Sequence, residues 1–283
     1  MNTIVSTIIP LYHGGKYVNS LVEMCARAFS EAGIENKAEI IFINDSPDDP
    51  ILLPDAKIEM KLLNNSENKG IHFSRVRGFM EAQGKYIHFF DQDDVITARF
   101  YKRQLERIGT ADVCVCNCKL ELSCDGKTYK YLYRNKLEYA LVKCPFAYIF
   151  LDNRVISPGQ CIIRKSSIPE YWTKRNMTCN GADDYYLWLL MFEEKKKFVV
   201  NKGVSFLHKY TGGNLSLKEQ IMLESLKNID ELYSGSPTKR FYSLFKSKIY
   251  FLTGQRKSFA FLFRWLMAVR QFRINLFKVR VYK

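Results

Sequence analysis

The chain has 283 residues, a formal net charge of +14, 47% apolar residues and 25% charged residues. This length suits one large α/β domain or one domain with an appendage, and the apolar share excludes a disordered chain. No run of about 18 apolar residues predicts a membrane-spanning helix, and no secretion signal is expected from the strand-like start of the sequence.

Apolar, β-rich segments alternate with helical patterns through the first 118 residues. Alternating strands and helices predict a mostly parallel α/β sheet with right-handed crossovers, and ligands bind at the carboxyl ends of the strands in such sheets. The predicted strands are 3–10, 39–44, 58–64, 85–91 and 111–118, and the predicted helices are 16–32, 73–82 and 97–108.

The second half of the chain is less regular. Residues 120–154 are rich in Tyr and Lys, and Asp125-Gly126 is typical of a hairpin turn. Farther on, the patterns predict strands at 160–164 and 197–207 and helices at 183–194 and 217–232. We expect a main domain over residues 1–215 and a helical extension over 216–283, which is basic and aromatic-rich from about residue 237.

Charge is concentrated in that extension. The last acidic residue is Glu231, and residues 239–283 contain twelve Lys and Arg, which leaves 31 basic and 29 acidic residues in the rest of the chain. Cations interleaved with aromatic residues are typical of three structures: a cleft for single-stranded nucleic acid, a helix lying in a membrane interface, and a helical cap with extended Lys and Arg. The composition alone leaves all three open.

Cysteines are the other compositional signal. Cys114, Cys116 and Cys118 alternate with other residues, so they share one face of a predicted strand. Neighbours on one face cannot close a tetrahedral zinc site without ligands from other elements. Buried reduced thiols and a cytoplasmic location are the preferred interpretation.

Polar residues follow three of the predicted strands. Strand one runs into Pro10 and Tyr12, strand two into Asp45, and strand four into Asp91 and its neighbours. A turn explains the residues around Asp45 alone, and a helix cap explains Asp94 or Thr97 alone. Their shared position at one rim of the sheet favours a binding site over separate turns and caps.

The Asp-Gln-Asp sequence at 91–93 predicts a divalent metal site. Strand alternation would place Asp91 and Asp93 on one side and Gln92 on the other. Two carboxylates suit Mg²⁺ or Mn²⁺, which also take phosphate oxygens and waters. The sequence has no Gly-x-Gly-x-x-Gly after strand one and no P-loop pattern, which disfavours a dinucleotide oxidoreductase or a P-loop NTPase.

Five segments in order over about 90 residues carry a family resemblance: Thr7–Tyr12, Ile43–Asp49, Asn68–Gly78, Ala82–Ile87 and Asp91–Asp94. They are similar, in this order, to the Pro-x-Tyr strand end, the Asp-rich end of strand two, the Asn-x-Gly helix start, the Ala-x-Gly-x-Tyr-Ile and the Asp-x-Asp-Asp of family 2 glycosyltransferases. Farther on, Gly181–Trp188 resembles the family's Glu-Asp helix start. The resemblance implies a GT-A-like fold, with a Rossmann-like, mostly parallel sheet flanked by helices and a basic amphipathic helical tail.

The resemblance also implies roles. Asp45 would accept a hydrogen bond from a uracil base, and Arg75 would lie near the diphosphate. Asp93, with Asp91, would hold Mn²⁺ or Mg²⁺, and His208 matches a histidine sometimes found near this metal. Asp184, or its neighbour Asp183, would be the catalytic base, and the remaining residues implied to bind substrate are Pro10, Tyr12, Asn68, Gly70 and Gln92.

Structural alternatives exist for the later residues. Asp183 and Asp184 also suit the first turn of a helix, where acidic side chains complement the helix dipole. His208 is compatible with a purely structural role, because a neutral imidazole suits softer metals than Mg²⁺. Arg75 is compatible with a solvated charge on the surface of its helix.

The resemblance implies a metal-dependent inverting transferase that moves one sugar from a nucleotide-sugar, such as a UDP-sugar, to a hydroxyl of a glycan or polyprenyl-diphosphate-linked acceptor in surface-polysaccharide synthesis. Phe261 replaces the Gln that processive members place before Arg-Trp, so a single-sugar transferase is expected. This enzyme class favours the membrane interpretation of residues 237–283, on an anionic inner membrane surface, over nucleic acid. The rival hypothesis is a catalytically inactive basic protein on the same scaffold that binds membranes or nucleic acid.

Overall fold

The computed structural model describes residues 3–121, 129–209 and 218–253. Over these residues nine strands form one sheet, in the order β3-β2-β1-β4-β8-β6-β9-β5, with β7 paired to β6. The strands are β1 (Val5–Leu11), β2 (Ala38–Asn44), β3 (Glu59–Asn64), β4 (Tyr86–Phe89), β5 (Val95–Ile96), β6 (Val113–Glu121), β7 (Tyr129–Tyr131), β8 (Cys161–Arg164) and β9 (Phe198–His208). The helices are α1 (Val18–Ala32), α2 (Ile71–Glu81), α3 (Phe100–Ile108), α4 (Lys136–Leu141), α5 (Pro145–Phe150), α6 (Glu170–Lys174), α7 (Asp183–Glu193), α8 (Glu219–Ser234) and α9 (Tyr242–Leu252).

The sheet is mostly parallel, as the alternation of strands and helices predicts. β1 pairs in parallel with β2 and β4, β2 with β3, and β6 with β9. β8 runs antiparallel between β4 and β6, and the short β5 and β7 are antiparallel to their neighbours. The carboxyl ends of β1, β2 and β4 therefore meet at one rim of the sheet.

Side-chain alternation along the central strands builds two hydrophobic layers. Ile9 of β1 packs in the layer shared with α1 and α3, whereas Ile8 packs in the layer shared with α2 and α7. Cys114, Cys116 and Cys118 of β6 all lie buried in the first layer, with free thiols. Burial raises the pKa of each of these thiols, so they stay protonated.

The end of β4 corrects one expectation. The sequence predicts a strand to Asp91, but β4 ends at Phe89, and the backbone N–H of Asp94 donates to the carbonyl of Asp91 at 3.2 Å. Asp91 and Asp93 therefore lie in a turn, and strand alternation does not set their directions. The turn redirects the chain from β4, in the middle of the sheet, to β5, a two-residue strand that pairs with β9 at the end of the strand order.

The helices α8 and α9 pack on the same layer as α7. Ile229, Phe245 and Ile249 are buried in that layer. The carboxylate of Glu193, at the end of α7, accepts from the backbone N–H groups of Arg240 (2.8 Å) and Phe241 (2.7 Å). The predicted domain boundary near residue 215 falls outside the described residues, as does the tail beyond residue 253.

None of the helices described here is long and apolar enough to cross a membrane.

Candidate functional site

One cleft of about 660 Å³ opens at the rim where β1, β2 and β4 end. Every residue that the sequence predicts for substrate, catalysis or metal lines it. These residues are Pro10, Tyr12, Asp45, Asn68, Gly70, Arg75, Asp91, Gln92, Asp93, Asp183, Asp184 and His208. The fold thus brings them together, and their individual roles stay predictions.

At one wall of the cleft, two hydrogen bonds connect the segments that follow β1 and β4. The backbone N–H of Tyr12 donates to Oε1 of Gln92 at 3.0 Å, and Nε2 of Gln92 donates to the carbonyl of Tyr12 at 3.1 Å. Both ends of the Gln92 amide are therefore bound to backbone. The Tyr12 side chain is 53% exposed, so its ring can cover a planar ligand.

Asp45, at the end of β2, organises the loop that leads into α2. Its Oδ1 accepts from Asn65 Nδ2 (2.7 Å) and from the N–H of Lys69 (2.8 Å), and its Oδ2 accepts from the N–H of Gly70 (2.9 Å). A carboxylate has about four lone-pair sites, so Asp45 keeps capacity for one donor from a ligand. Asn68 lies in this loop, where its Oδ1 also accepts from Gly70 at 3.1 Å.

A buried ion-pair network crosses the floor of the cleft. Arg75, which is 3% exposed, donates from Nη1 to Asp183 Oδ2 at 2.6 Å and from Nη2 to Asp91 Oδ1 at 2.5 Å. The other oxygen of Asp91 accepts from Ser157 Oγ at 3.1 Å. Arg75 is therefore not a solvated surface charge. Its guanidinium joins the turn after β4 to the first residue of α7.

Asp184 is a buried carboxylate of the cleft whose pKa is raised close to neutral pH. It is 9% exposed, and its Oδ1 accepts from the N–H of Tyr185 at 2.7 Å. Burial, followed by the charge of Asp183, raises its pKa to about 7. The residue preceding the helix, Ala182, makes no side-chain cap, and Asp183 points its carboxylate at Arg75. A group that titrates near neutral pH suits general-base catalysis.

The third group contains Asp93, Asp94 and His208. Burial, followed by the charge of Asp91, raises the pKa of Asp93. Asp94 is buried, and its Oδ1 accepts from His208 Nδ1 at 2.8 Å. Burial would lower the pKa of His208, but the hydrogen bond and charge of Asp94 outweigh it and raise that pKa.

These side chains fit a magnesium-type ion only together with a substrate. Within residues 3–121, 129–209 and 218–253, no three His, Cys, Asp or Glu side chains converge closely enough to hold a metal by themselves. Mg²⁺ is typically bound by one or two carboxylates plus substrate phosphates, and Asp93 presents a partly exposed carboxylate to the cleft. Asp91 is the weaker ligand candidate, because Arg75 and Ser157 already engage its two oxygens.

Sequence reasoning missed three residues of the site. Asn180 accepts from the N–H of Ile71 at 3.1 Å, and a Cβ on Gly70, where φ is +86°, would lie 2.6 Å from Asn180 Oδ1. Asn153 and Lys218 also belong to the site, the first as a partner of Asp184 and the second as a lining residue. Polar residues in irregular segments give no periodic signal, so no sequence pattern marks these three residues.

The model of the family described as Glycosyl transferase family 2 matches residues 6–172. EpsH of Bacillus subtilis strain 168 is 29% identical over 131 residues, which are 44% of this chain and 36% of EpsH. The matched segment thus spans little more than a third of that relative's length.

Two solved structures are similar in fold. S. aureus TarS 1–349 in complex with UDP-GlcNAc has a TM-score of 0.57 and 14% identity, and the match covers 89% of this chain and 72% of the TarS 1–349 chain. The mannosyltransferase PcManGT from Pyrobaculum calidifontis, in complex with GDP-Man and Mn²⁺, has a TM-score of 0.53 and 12% identity, over 88% of this chain and 70% of that protein. At these identities the likeness shows the fold alone.

Proposed function

Because this chain belongs to glycosyl transferase family 2, we propose that it is a metal-dependent inverting transferase that moves one sugar from a nucleotide-sugar to an acceptor hydroxyl. The observation that carries the proposal is this cleft, which contains a buried Asp184 with a raised pKa and the partly exposed carboxylate of Asp93. The first supplies a base at neutral pH, and the second supplies an oxygen ligand for a cation beside phosphates.

In the proposed reaction, Asp184 accepts the proton of the acceptor hydroxyl as that oxygen attacks the anomeric carbon. The new carbon–oxygen bond forms on the face opposite the bond that breaks, and the nucleoside diphosphate leaves with the electron pair of that bond. This is a single displacement that inverts the anomeric centre. A divalent cation, when bound with the donor, supplies charge neutralisation for the leaving diphosphate.

The charge balance of the cleft supports the need for a cation. Its acidic lining residues outnumber its Lys and Arg residues: they are Asp45, Asp91, Asp93, Asp183 and Asp184, against Arg75 and Lys218. Arg75 is already engaged by Asp91 and Asp183, so its charge is not free for a donor diphosphate. A diphosphate would add negative charge to an acidic cleft, and a divalent ion offsets that repulsion.

UDP-sugars are the proposed donors, with surface polysaccharide or a lipid-diphosphate-linked glycan as the acceptor class. The remaining acceptor capacity of Asp45 suits the imide N–H of uracil. TarS was solved with UDP-GlcNAc, but PcManGT was solved with GDP-Man, so similar folds accept different bases.

A panel of nucleotide-sugars tests this proposal by thermal unfolding. With Mn²⁺ present, we expect one UDP-sugar at about 100 times its Kd to raise the Tm by roughly 5–10 °C, and EDTA to remove the effect. Asp93→Ala should lose the Mn²⁺-dependent rise, whereas Asp55→Ala, on an exposed residue outside the cleft, should keep it. If no UDP-sugar, GDP-sugar or free nucleoside diphosphate stabilises the protein with Mn²⁺, the proposed function is wrong.

We also propose that the basic tail binds anionic membranes. Eight of its cations lie beyond α9, outside the described residues: Arg256, Lys257, Arg264, Arg270, Arg273, Lys278, Arg280 and Lys283. Replacing these eight with Gln should abolish flotation with vesicles that contain phosphatidylglycerol, while α9 keeps its buried Phe245 in the core. Neutral phosphatidylcholine vesicles are the control. Equal flotation of both proteins with anionic vesicles would contradict the idea.

A further inference from the structure

Asn153 contacts the carboxylate proposed as the base. It lies after α5, in a segment without regular secondary structure, and its Nδ2 donates to Asp184 Oδ2 at 2.9 Å. Its Oδ1 accepts from the backbone N–H of Val155 at 3.2 Å. Because an amide oxygen accepts and an amide nitrogen donates, the Val155 N–H fixes which end of the side chain faces Asp184.

We propose that Asn153 is a positioning residue for catalysis: it holds the Asp184 carboxylate in its orientation and stabilises the ionised, proton-accepting form. This inference rests on the proposed function, in which Asp184 is the base. The residue lies in the stretch of sequence with the least regular pattern, and no segment of the family resemblance includes it.

The surroundings of Asp184 show why one amide matters. Burial and the charge of Asp183 disfavour its ionised form, and the buried Tyr148 of α5 and Cys161 of β8 offer it no opposing charge. Arg75 favours the ionised form, but Arg75 donates directly to Asp183 and Asp91.

Two hydrogen bonds then reach Asp184 itself. The N–H of Tyr185 belongs to the adjoining residue of the helix and binds Oδ1. The other oxygen, Oδ2, accepts from Asn153, which comes from a different segment and so fixes the rotation of the carboxylate against the body of the protein. A donor to the ionised form lowers a carboxyl pKa, and Asn153 acts in that direction here.

Two variants test this role. Asn153→Leu keeps the branching at Cγ and the number of side-chain heavy atoms, and it removes both hydrogen bonds. Asn153→Asp keeps an acceptor for the Val155 N–H but replaces the donor to Asp184 with a carboxylate. We expect the Asp184 pKa to rise by about one unit in Asn153→Leu, as the loss of one hydrogen bond to a charged group implies, and further in Asn153→Asp.

The titration can be followed by NMR on full-length protein labelled with carboxyl-¹³C aspartate, without any substrate. The signal that disappears in Asp184→Asn is that of Asp184. Asn153→Asp adds the signal of a new aspartate, whereas Asn153→Leu adds none, so comparing the two variants shows which signal is new. Asn176→Ala, which removes an exposed asparagine outside the cleft, is the matched control and should leave the titration unchanged. An unchanged Asp184 titration in both Asn153 variants would overturn the inference.

A pH profile of transfer separates this inference from the proposed function. The substrate is the UDP-sugar identified by the thermal panel. At pH values below the wild-type pKa of Asp184, kcat/KM of Asn153→Leu should be about tenfold lower than that of wild type. About one to two pH units above that pKa, most of the difference should disappear. A purely structural role would lower kcat/KM by the same factor at every pH. If Asp184→Asn itself retains full transfer, the assignment of Asp184 as the base fails, whatever the Asn153 variants show; the thermal panel tests the proposed function separately.

Discussion

Replacing Asp184 with Asn should lower the rate of sugar transfer by about 10²- to 10⁴-fold, the usual contribution of a general base. Asn matches Asp in shape but does not accept a proton at neutral pH. Nucleotide binding should change little, because the donor is proposed to contact Asp45 and Asp93, which follow β2 and β4, whereas Asp184 lies in α7. The measurement is the release of nucleoside diphosphate with donor and acceptor, alongside the Kd of UDP with Mn²⁺.

Stability distinguishes this variant from its neighbour. The pKa of Asp184 is raised in the folded protein to about 7, well above its unfolded value of about 3.9, so this residue contributes less stability as the pH rises from about 4 to 7. Asp184→Asn removes that buried charge, and we expect its free energy of unfolding at pH 7.5 to be no lower than that of wild type. Asp183→Asn is the control that should be less stable, because it breaks the ion pair with Arg75.

The base assignment would be wrong if Asp184→Asn kept more than about a tenth of the wild-type transfer rate while Asp183→Asn, still folded, lost it. Wild-type transfer should also rise with pH through about 7, as Asp184 loses its proton. A rate that is flat between pH 5 and 9 would contradict a base with this pKa.

The location of the site can be predicted from the sequence. The contacts between its side chains are much harder to predict. Asp45 and Asp91 follow strands whose apolar patterns are easy to recognise, and parallel strands bring their carboxyl ends to one rim. The contact between Arg75 and Asp183 spans 108 positions and depends on how α2 and α7 pack, which no local pattern encodes. The family resemblance implies a diphosphate near Arg75, and that role stays a prediction; the structure adds that two carboxylates bind its guanidinium.

The middle of the chain shows a second limit. The helices α4, α5 and α6 have only five or six residues each, too short for an apolar period to be recognised. They form because tertiary packing stabilises them: Tyr148 of α5 and Trp172 of α6 are fully buried. Asn153, placed by α5 beside Asp184, could not be found before that packing was known.

The ion-pair network around Arg75 gives the largest predicted effect on stability. Arg75→Met should lower the free energy of unfolding by about 3–5 kcal/mol, because it leaves the carboxylates of Asp91 and Asp183 without their cation in a buried site. Arg77→Met, on the same helix, is the matched control. Arg77 donates to the carbonyl of Asn64, at 2.7 Å, and to the side-chain oxygen of Asn65, so its loss should cost about 1 kcal/mol.

Urea unfolding at pH 7.5 measures these differences, and a double-mutant cycle attributes them. Once Asp183→Asn has removed one of the two carboxylate charges, the further loss from Arg75→Met should be smaller than in the wild-type background. If Arg75 instead mainly binds the donor diphosphate, Arg75→Met would unfold near the wild-type urea concentration and bind UDP more weakly. Unfolding and UDP binding measured on Arg75→Met therefore decide whether the Arg75 guanidinium stabilises the folded site or binds the donor.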